Sequence, residues 1–150
     1  MAPEFHPLVV AAVGPLTDTA VSISFEVPEA LRSTFLHTPG QHVIVKAEVD
    51  GDTVRRSYSI CSPVGEPRIM IGVKKLPGGV FSTFANENLQ PGDVLEVTPP
   101  TGDFVLEPDR ANANHYIAVV AGSGITPVLS MISSALMIEP SSRFTLIYGN

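Results

Sequence analysis

The hydrophobic period of this chain changes once, and that change most constrains its fold. Between residues 20 and 99 apolar side chains recur at alternate positions in short runs, separated by Pro and Gly turn signals. Ala20–Val27 is the cleanest run, with Val21, Ile23, Phe25 and Val27 on one face and Ser22, Ser24 and Glu26 on the other. Such alternation marks a half-buried antiparallel strand. Beyond residue 114 the alternation stops. Tyr116–Ala121 is a continuous apolar run, Gly122-Ser123-Gly124 follows, and Thr126–Ile138 sets Val128, Met131, Ile132, Ala135 and Leu136 at helical spacing. Phe144–Tyr148 is a second apolar run. Strand, glycine loop, helix and strand make a βαβ unit whose strands read as buried on both faces. One chain therefore holds an antiparallel β domain and the start of a parallel α/β domain.

Six strands are expected in the first part: Leu8–Val13, Ala20–Val27, Gln41–Val49, Val54–Ile60, Arg68–Lys75 and Val94–Pro99. Asp50-Gly51-Asp52 is a hairpin turn in which Gly supplies a positive φ. Glu29–Leu36 reads as a helical turn, and Val80–Leu89 as a short helix closed by Pro91-Gly92. Six antiparallel strands at this spacing suggest a small closed barrel, capped by the helix between its fifth and sixth strands. The polar stretch 103–114 is a linker, so the expected division is a barrel over 1–110 and the α/β start over 111–150. Two parallel strands and one helix do not cover themselves. Either the chain is a piece of a longer protein or a partner covers the sheet, dimerisation through it being one form of that.

Composition narrows the partners. The chain has 9 Lys+Arg against 15 Asp+Glu, a net charge of -6, and no basic run longer than two residues. That argues against nucleic acid. A single cysteine excludes an internal disulfide or an all-cysteine iron–sulfur site. His6, His37, His42 and His115 lack metal-ligand spacing. No apolar stretch approaches a membrane span, and the N-terminus lacks the basic and apolar regions of a signal peptide. A soluble cytoplasmic protein without a membrane partner is the expectation.

Three stretches carry chemistry. Arg56-Ser57-Tyr58-Ser59 combines a cation, an aromatic ring and two hydroxyls on one strand, with Arg56 and Tyr58 facing one way and Ser57 and Ser59 the other. A guanidinium suits phosphate and a phenol ring suits a flat heterocycle. A surface Arg beside a core Tyr explains the stretch equally when it is taken alone, and Arg55 is a second candidate for phosphate. Gly78-Gly79-Val80-Phe81-Ser82 places two glycines before a helix, where free N–H groups attract anions and Ser82 caps or bonds a phosphate oxygen. A plain glycine turn with a capped helix is the alternative. Gly122-Ser123-Gly124-Ile125-Thr126-Pro127 is a phosphate-approach loop after an apolar strand, without the full Gly-x-Gly-x-x-Gly pattern. Its alternative is a tight turn with Pro127 at the first helical position.

In this order, and over Leu8 to Asn150, the three motifs resemble the ferredoxin–NADP reductase superfamily, nearest to the reductases of phenylacetyl-CoA ring-epoxidising oxygenases. Pro99-Pro100-Thr101-Gly102-Asp103-Phe104 corroborates the likeness. The resemblance implies a six-stranded antiparallel Greek-key FAD barrel with a capping helix, followed by the first βαβ unit of an NAD(P)-binding domain. It implies that Arg56 binds the flavin pyrophosphate with Ser57 beside it, that Tyr58 packs on the isoalloxazine and that Ser59 sits near N5. Val73 and Lys74 would run along the ribityl chain and pyrimidine edge. Gly79, Val80, Phe81 and Ser82 would hold the pyrophosphate. Gly122, Gly124, Ile125, Thr126 and Pro127 would face the nicotinamide of NAD(P)H, with Thr126 also at the flavin edge. Tyr58 and Ser59 would be the residues at the chemistry. The implied activity is FAD-dependent transfer of electrons from NAD(P)H to an iron–sulfur centre and an oxygenase component. No Cys-x4-Cys-x2-Cys run is present, so the [2Fe–2S] centre belongs to a further C-terminal domain or to a ferredoxin partner. Two alternatives stand beside this: a flavin-binding electron-transfer module without its own NAD(P)H activity, and a non-enzymatic β-barrel ligand module.

Overall fold

The computed structural model of the protein describes residues 2–149. Six strands, β1 (His6–Thr17), β2 (Ala20–Glu26), β3 (His42–Val49), β4 (Asp52–Ser59), β5 (Arg68–Lys74) and β6 (Val94–Val97), form one sheet in the order β4-β3-β6-β1-β2-β5. Every neighbouring pair is antiparallel. The sheet curls shut where Ile60 bridges Ile71 and the Cys61 N–H donates to the Met70 carbonyl at 2.8 Å. Helix α1 (Val80–Glu87) lies between β5 and β6 in sequence, and the connection it belongs to carries the chain across to place β6 between β3 and β1. That crossover is the Greek-key step.

The alternating residues explain the closure. Leu8, Val10, Ile23, Phe25, Val43, Val45, Ile71, Val73 and Val97 all turn inward and are essentially inaccessible, with Phe81 of α1 plugging the same core. Each such side chain contributes roughly 1.5–3 kcal/mol by leaving water. The hairpin between β3 and β4 turns at Asp50 and Gly51, with φ of 52° and 87°. Two positive values are what a two-residue hairpin turn matching strand twist requires.

Several boundaries differ from the sequence expectation. β1 runs from His6 to Thr17, past Pro7, Gly14 and Pro15, because it pairs with β6 over His6–Val9 and with β2 over Val9–Thr17, so each proline has a partner strand on one side only, and the register shifts next to Pro15. A bulge tolerates a residue without an N–H. Only Glu29–Leu31 of the 29–36 segment is helical, a single 3-10 turn, and Phe35 dives into the core instead. α1 stops at Glu87, where Leu89 N–H reaches back to the Phe84 carbonyl at 3.1 Å and its side chain is buried. β6 ends at Val97, since the Thr98 hydroxyl replaces a backbone acceptor for Ile44 N–H at 2.9 Å and two prolines follow.

The second unit is a parallel pair, β7 (His115–Ala121) and β8 (Arg143–Gly149), joined by α2 (Ile125–Ile138). Its strands are not buried on both faces as their composition suggests. Val119 is 76% exposed and Ile117 65%, because α2 covers one face only. Glu139, just past α2, ties this unit to the linker. Its Oε1 accepts from the Asp109 amide, Asn112 Nδ2 and Tyr116 Oη at 3.0, 2.9 and 3.0 Å. The linker also meets the barrel, with Leu106 N–H donating to the Pro39 carbonyl at 3.0 Å. Among the described residues no helix is long and apolar enough to cross a membrane.

Candidate functional site

The register of β3 and β4 sorts the residues of Arg55–Ser59 by face. Tyr58 lies opposite Val43 and Arg56 opposite Val45, both core residues, whereas Ser57 lies opposite Ile44 and Arg55 opposite Lys46. Directly paired residues share a face, so Arg56 and Tyr58 stand together and Ser57 stands with Arg55. The two arginines are thereby separated. Arg55 lies 5.5 Å from the Phe5 ring, and Lys46 is 4.6 Å from the same ring. That cation–π pairing engages Arg55 on the outer face. Arg56 is exposed, donates one bond to the Arg55 carbonyl at 2.7 Å, and belongs to none of the ion pairs among the described residues.

Tyr58 is half-buried, its ring centroid 5.6 Å from that of Phe81, which in turn is 6.3 Å from Phe84. This aromatic row links β4 to α1. Burial pushes the Tyr58 phenol up, and the Arg56 guanidinium pulls it partly back. The phenol is therefore neutral at physiological pH, apolar across its ring and polar at its tip. Ser59, half-buried, ends the strand beside the closing bridge at Ile60.

The α1 N-terminus has the features of an anion cradle. The first helical hydrogen bond runs from Thr83 N–H to the Gly79 carbonyl at 3.0 Å, so the amides of Val80, Phe81 and Ser82 precede the ladder. Gly78 takes φ 73°, and a Cβ on Gly79 would strike Ser82 Oγ. The Ser82 hydroxyl accepts from Leu76 N–H at 3.1 Å and donates to the Gly79 carbonyl at 3.3 Å. It is buried and builds the turn, and the three amides ahead of the ladder have no helical acceptor. The Phe81 side chain is fully buried, so this residue offers its amide alone. A cavity of about 490 Å³ opens next to these glycines, walled by Val80, Thr83, Phe84 and Asn88 and by Glu48–Asp50 of the hairpin.

β5 brings the remaining residues in. Val73 is buried, and its carbonyl accepts from Asn86 Nδ2 at 3.2 Å, which also donates to the Ser82 carbonyl at 2.8 Å. Asn86 thus ties β5 to α1, a role the sequence alone does not mark. Lys74 points to solvent. At Gly72 a Cβ would lie 3.3 Å from Thr126 Cγ2, so the N-terminus of α2 presses on the barrel where β4 closes against β5. Gly122–Gly124 forms a 3-10 turn with Gly122 at φ 54°, and Thr126 Oγ1 donates to the Ser123 carbonyl at 3.0 Å. Ile125 opens α2, which puts Pro127 third in the helix, not first. Its missing N–H still falls within the first turn, where no helical acceptor exists.

Tyr58 thus reaches α1 through Phe81, and Thr126 reaches β5 at Gly72, while the cavity beside α1 is lined by Gly78, Gly79 and Val80. By the same register Ser57 and Ser59, opposite Ile44 and His42, share the face of β4 opposite to that of Arg56 and Tyr58. Cys61, whose Sγ donates to the Met70 carbonyl at 3.4 Å, has its thiol pushed up to about 11 by burial and is no nucleophile. Among the described residues no three His, Cys, Asp or Glu gather closely enough to hold a metal.

Comparison with known proteins bears on the family and the fold. The family of oxidoreductase FAD-binding domains matches residues 10–106. A component of the 1,2-phenylacetyl-CoA epoxidase of Escherichia coli (strain K12) is 46% identical over 146 residues, covering 97% of this chain and 41% of the relative. Among solved structures, the Amycolatopsis cytochrome P450 reductase superposes with a TM-score of 0.80 at 25% identity, covering 99% of this chain and 44% of that one. Phthalate dioxygenase reductase, described as modular for electron transfer from pyridine nucleotides to [2Fe–2S], gives 0.70 at 28%, covering 96% and 43%. The chain spans less than half the length of each of these.

Proposed function

The chain belongs to the oxidoreductase FAD-binding domain family, and from that premise we propose that it carries the flavin of an NAD(P)H-dependent reductase of ferredoxin–NADP reductase type. The single observation that carries the reading is the packing around the end of β4: Tyr58 meets Phe81 of α1, and the chain just past Ser59 bridges β5 at Ile71, next to the Gly72 that the N-terminus of α2 abuts. The residues fit FAD. Arg56 and the amides of Val80–Ser82 hold a pyrophosphate, Tyr58 offers a neutral ring to the isoalloxazine, and the cavity beside Gly79 has room for the rest of a dinucleotide. When bound, FAD accepts a hydride as a two-electron unit and releases electrons singly. This chain's residues supply position. Ser59 offers a hydroxyl at the N5 edge, the backbone of Val73 and Lys74 lines the ribityl side, and Gly122–Pro127 orients the nicotinamide.

The electrons pass to an iron–sulfur centre on a further domain or a ferredoxin, and then to an oxygenase. Likeness to the epoxidase component supports an oxygenase acting on a CoA-linked aromatic acid. Anaerobic stopped-flow mixing of the flavin-loaded protein with NADH and with NADPH tests the reading. Ser59→Ala should slow flavin reduction by about tenfold or more, ~1.4 kcal/mol in the barrier, while leaving FAD affinity nearly unchanged. An unchanged reduction rate removes Ser59 from the chemistry.

A further inference from the structure

Ser130 and Ser134 sit on α2, beyond the glycine motif that leads into it, and are completely inaccessible. Serine inside a helix ordinarily weakens it or bonds back to its own preceding turn. Ser133 does the latter, donating to the Leu129 carbonyl at 2.7 Å. Ser130 and Ser134 bond outward instead. Ser130 Oγ donates to the Ser62 carbonyl at 2.7 Å, and Ser134 Oγ accepts the Val64 N–H at 3.0 Å. Both partners are backbone atoms of the loop that directly continues β4. That loop is fixed to β5 from its other side, since Ser62 Oγ accepts the Met70 N–H at 3.1 Å and Cys61 N–H donates to the Met70 carbonyl at 2.8 Å.

The spacing gives these contacts a direction. Thr126, Ser130 and Ser134 are four residues apart, so they form one stripe along α2. The first presses on Gly72, and the other two are bonded to the loop after Ser59. A helix held only by packing would need alanine here, as it has at Ala135. Directional bonds set register along the helix axis, which packing of small residues leaves loose.

We propose that Ser130 and Ser134 are positioning residues that fix the nicotinamide-facing turn Gly122–Thr126 against the flavin-facing end of β4. The inference rests on the function proposed above. The step concerned moves one hydride, two electrons with a proton, from the nicotinamide, which leaves oxidised, to the flavin, which leaves reduced. Such transfer needs reacting atoms about 3–3.5 Å apart, and a displacement of about 1 Å costs on the order of a hundredfold in rate.

The test compares flavin-loaded protein with Ser130→Ala, Ser134→Ala, the double variant, and Ser133→Ala as a control on the same helix. Limiting flavin reduction rate and half-saturating nucleotide are measured for NADH and NADPH, and exchange of the Val64 amide is followed in parallel. The double variant should reduce ~10–100-fold more slowly, with half-saturation and flavin absorption within about threefold and unchanged respectively. Val64 exchange should accelerate in Ser134→Ala, and Ser133→Ala should match the unsubstituted protein. Faster exchange with an unaltered reduction rate would overturn the positioning role, as would a double variant indistinguishable from the control. Failure of the unsubstituted protein to be reduced by either nucleotide is a different result: it overturns the functional reading and the positioning role with it.

Discussion

Two glycines in this chain share a backbone constraint and differ in surroundings, so alanine at each separates strain from collision. Gly40 has φ 106° and Gly51 φ 87°. An L-residue forced into the left-handed region costs roughly 1–2 kcal/mol, and both substitutions incur that cost. Nothing lies within 4 Å of a Cβ built on Gly51. A Cβ on Gly40 would run into the Phe104 carbonyl oxygen and approach Met131 Cε at 2.5 Å. The carbonyl cannot swing aside freely, because the neighbouring Leu106 N–H is bonded to Pro39 at 3.0 Å. Overpacking of this kind adds about 1–3 kcal/mol. Gly51→Ala should therefore cost ~1–2 and Gly40→Ala ~2–5 kcal/mol. At about 2–4 °C per kcal/mol for a chain of this size, the difference is several degrees in Tm, readable by circular dichroism during thermal or urea unfolding. Met131 belongs to α2, so Gly40→Ala should also loosen the βαβ unit against the barrel. Equal costs for the two variants would refute the close approach of the linker and α2 to Gly40.

Three further outcomes are expected. Arg56→Ala should weaken FAD binding by ~10–150-fold, the loss of a charge-assisted contact of about 1.5–3 kcal/mol, while Arg55→Ala, whose guanidinium is engaged with Phe5, should change it little; fluorescence titration with FAD reads both. Burial raises the Glu139 carboxyl, but bonds to its Oε1 from Asn112, the Asp109 amide and Tyr116 outweigh it and hold it down at about 2, against an ordinary 4.5. Its contribution to stability is thus complete above pH 4.5 and lost as pH falls toward about 2, so Glu139→Gln should flatten the stability curve across that window, and an unaltered acid slope would contradict the clasp. Cys61, with its thiol pushed up to about 11, should resist thiol reagents at neutral pH in the folded protein and react fast in denaturant; rapid labelling of the native state would contradict its burial.

What the sequence made legible follows from the range of the interactions. β2 was readable to within a residue because its alternation reports one buried face directly, and the Asp50-Gly51 turn because its φ values need those residue types. β1 is longer than its sequence suggests because Pro7, Gly14 and Pro15 look like breakers until its pairing with β6 at one end and with β2 along the rest is known. Pro127 read as a first helical residue because Gly122–Gly124 looked like loop, whereas the helix begins at Ile125 and tolerates proline throughout its first turn. The separation of Arg55 from Arg56 needed the register with β3 and the position of Phe5. Ser130 and Ser134 were invisible for a further reason: their partners are backbone atoms 68 and 70 residues away, and no residue type marks a carbonyl or an amide as taken.

The most direct test of the central claim is the visible absorption spectrum of the purified protein, recorded before and after denaturation, with the released chromophore identified. A yellow protein that releases FAD, or an apoprotein that takes up added FAD and acquires that spectrum, is the predicted result. A colourless protein that takes up no FAD would contradict the assignment of Arg56, Tyr58, Ser59 and the Gly79–Ser82 cradle to a flavin site.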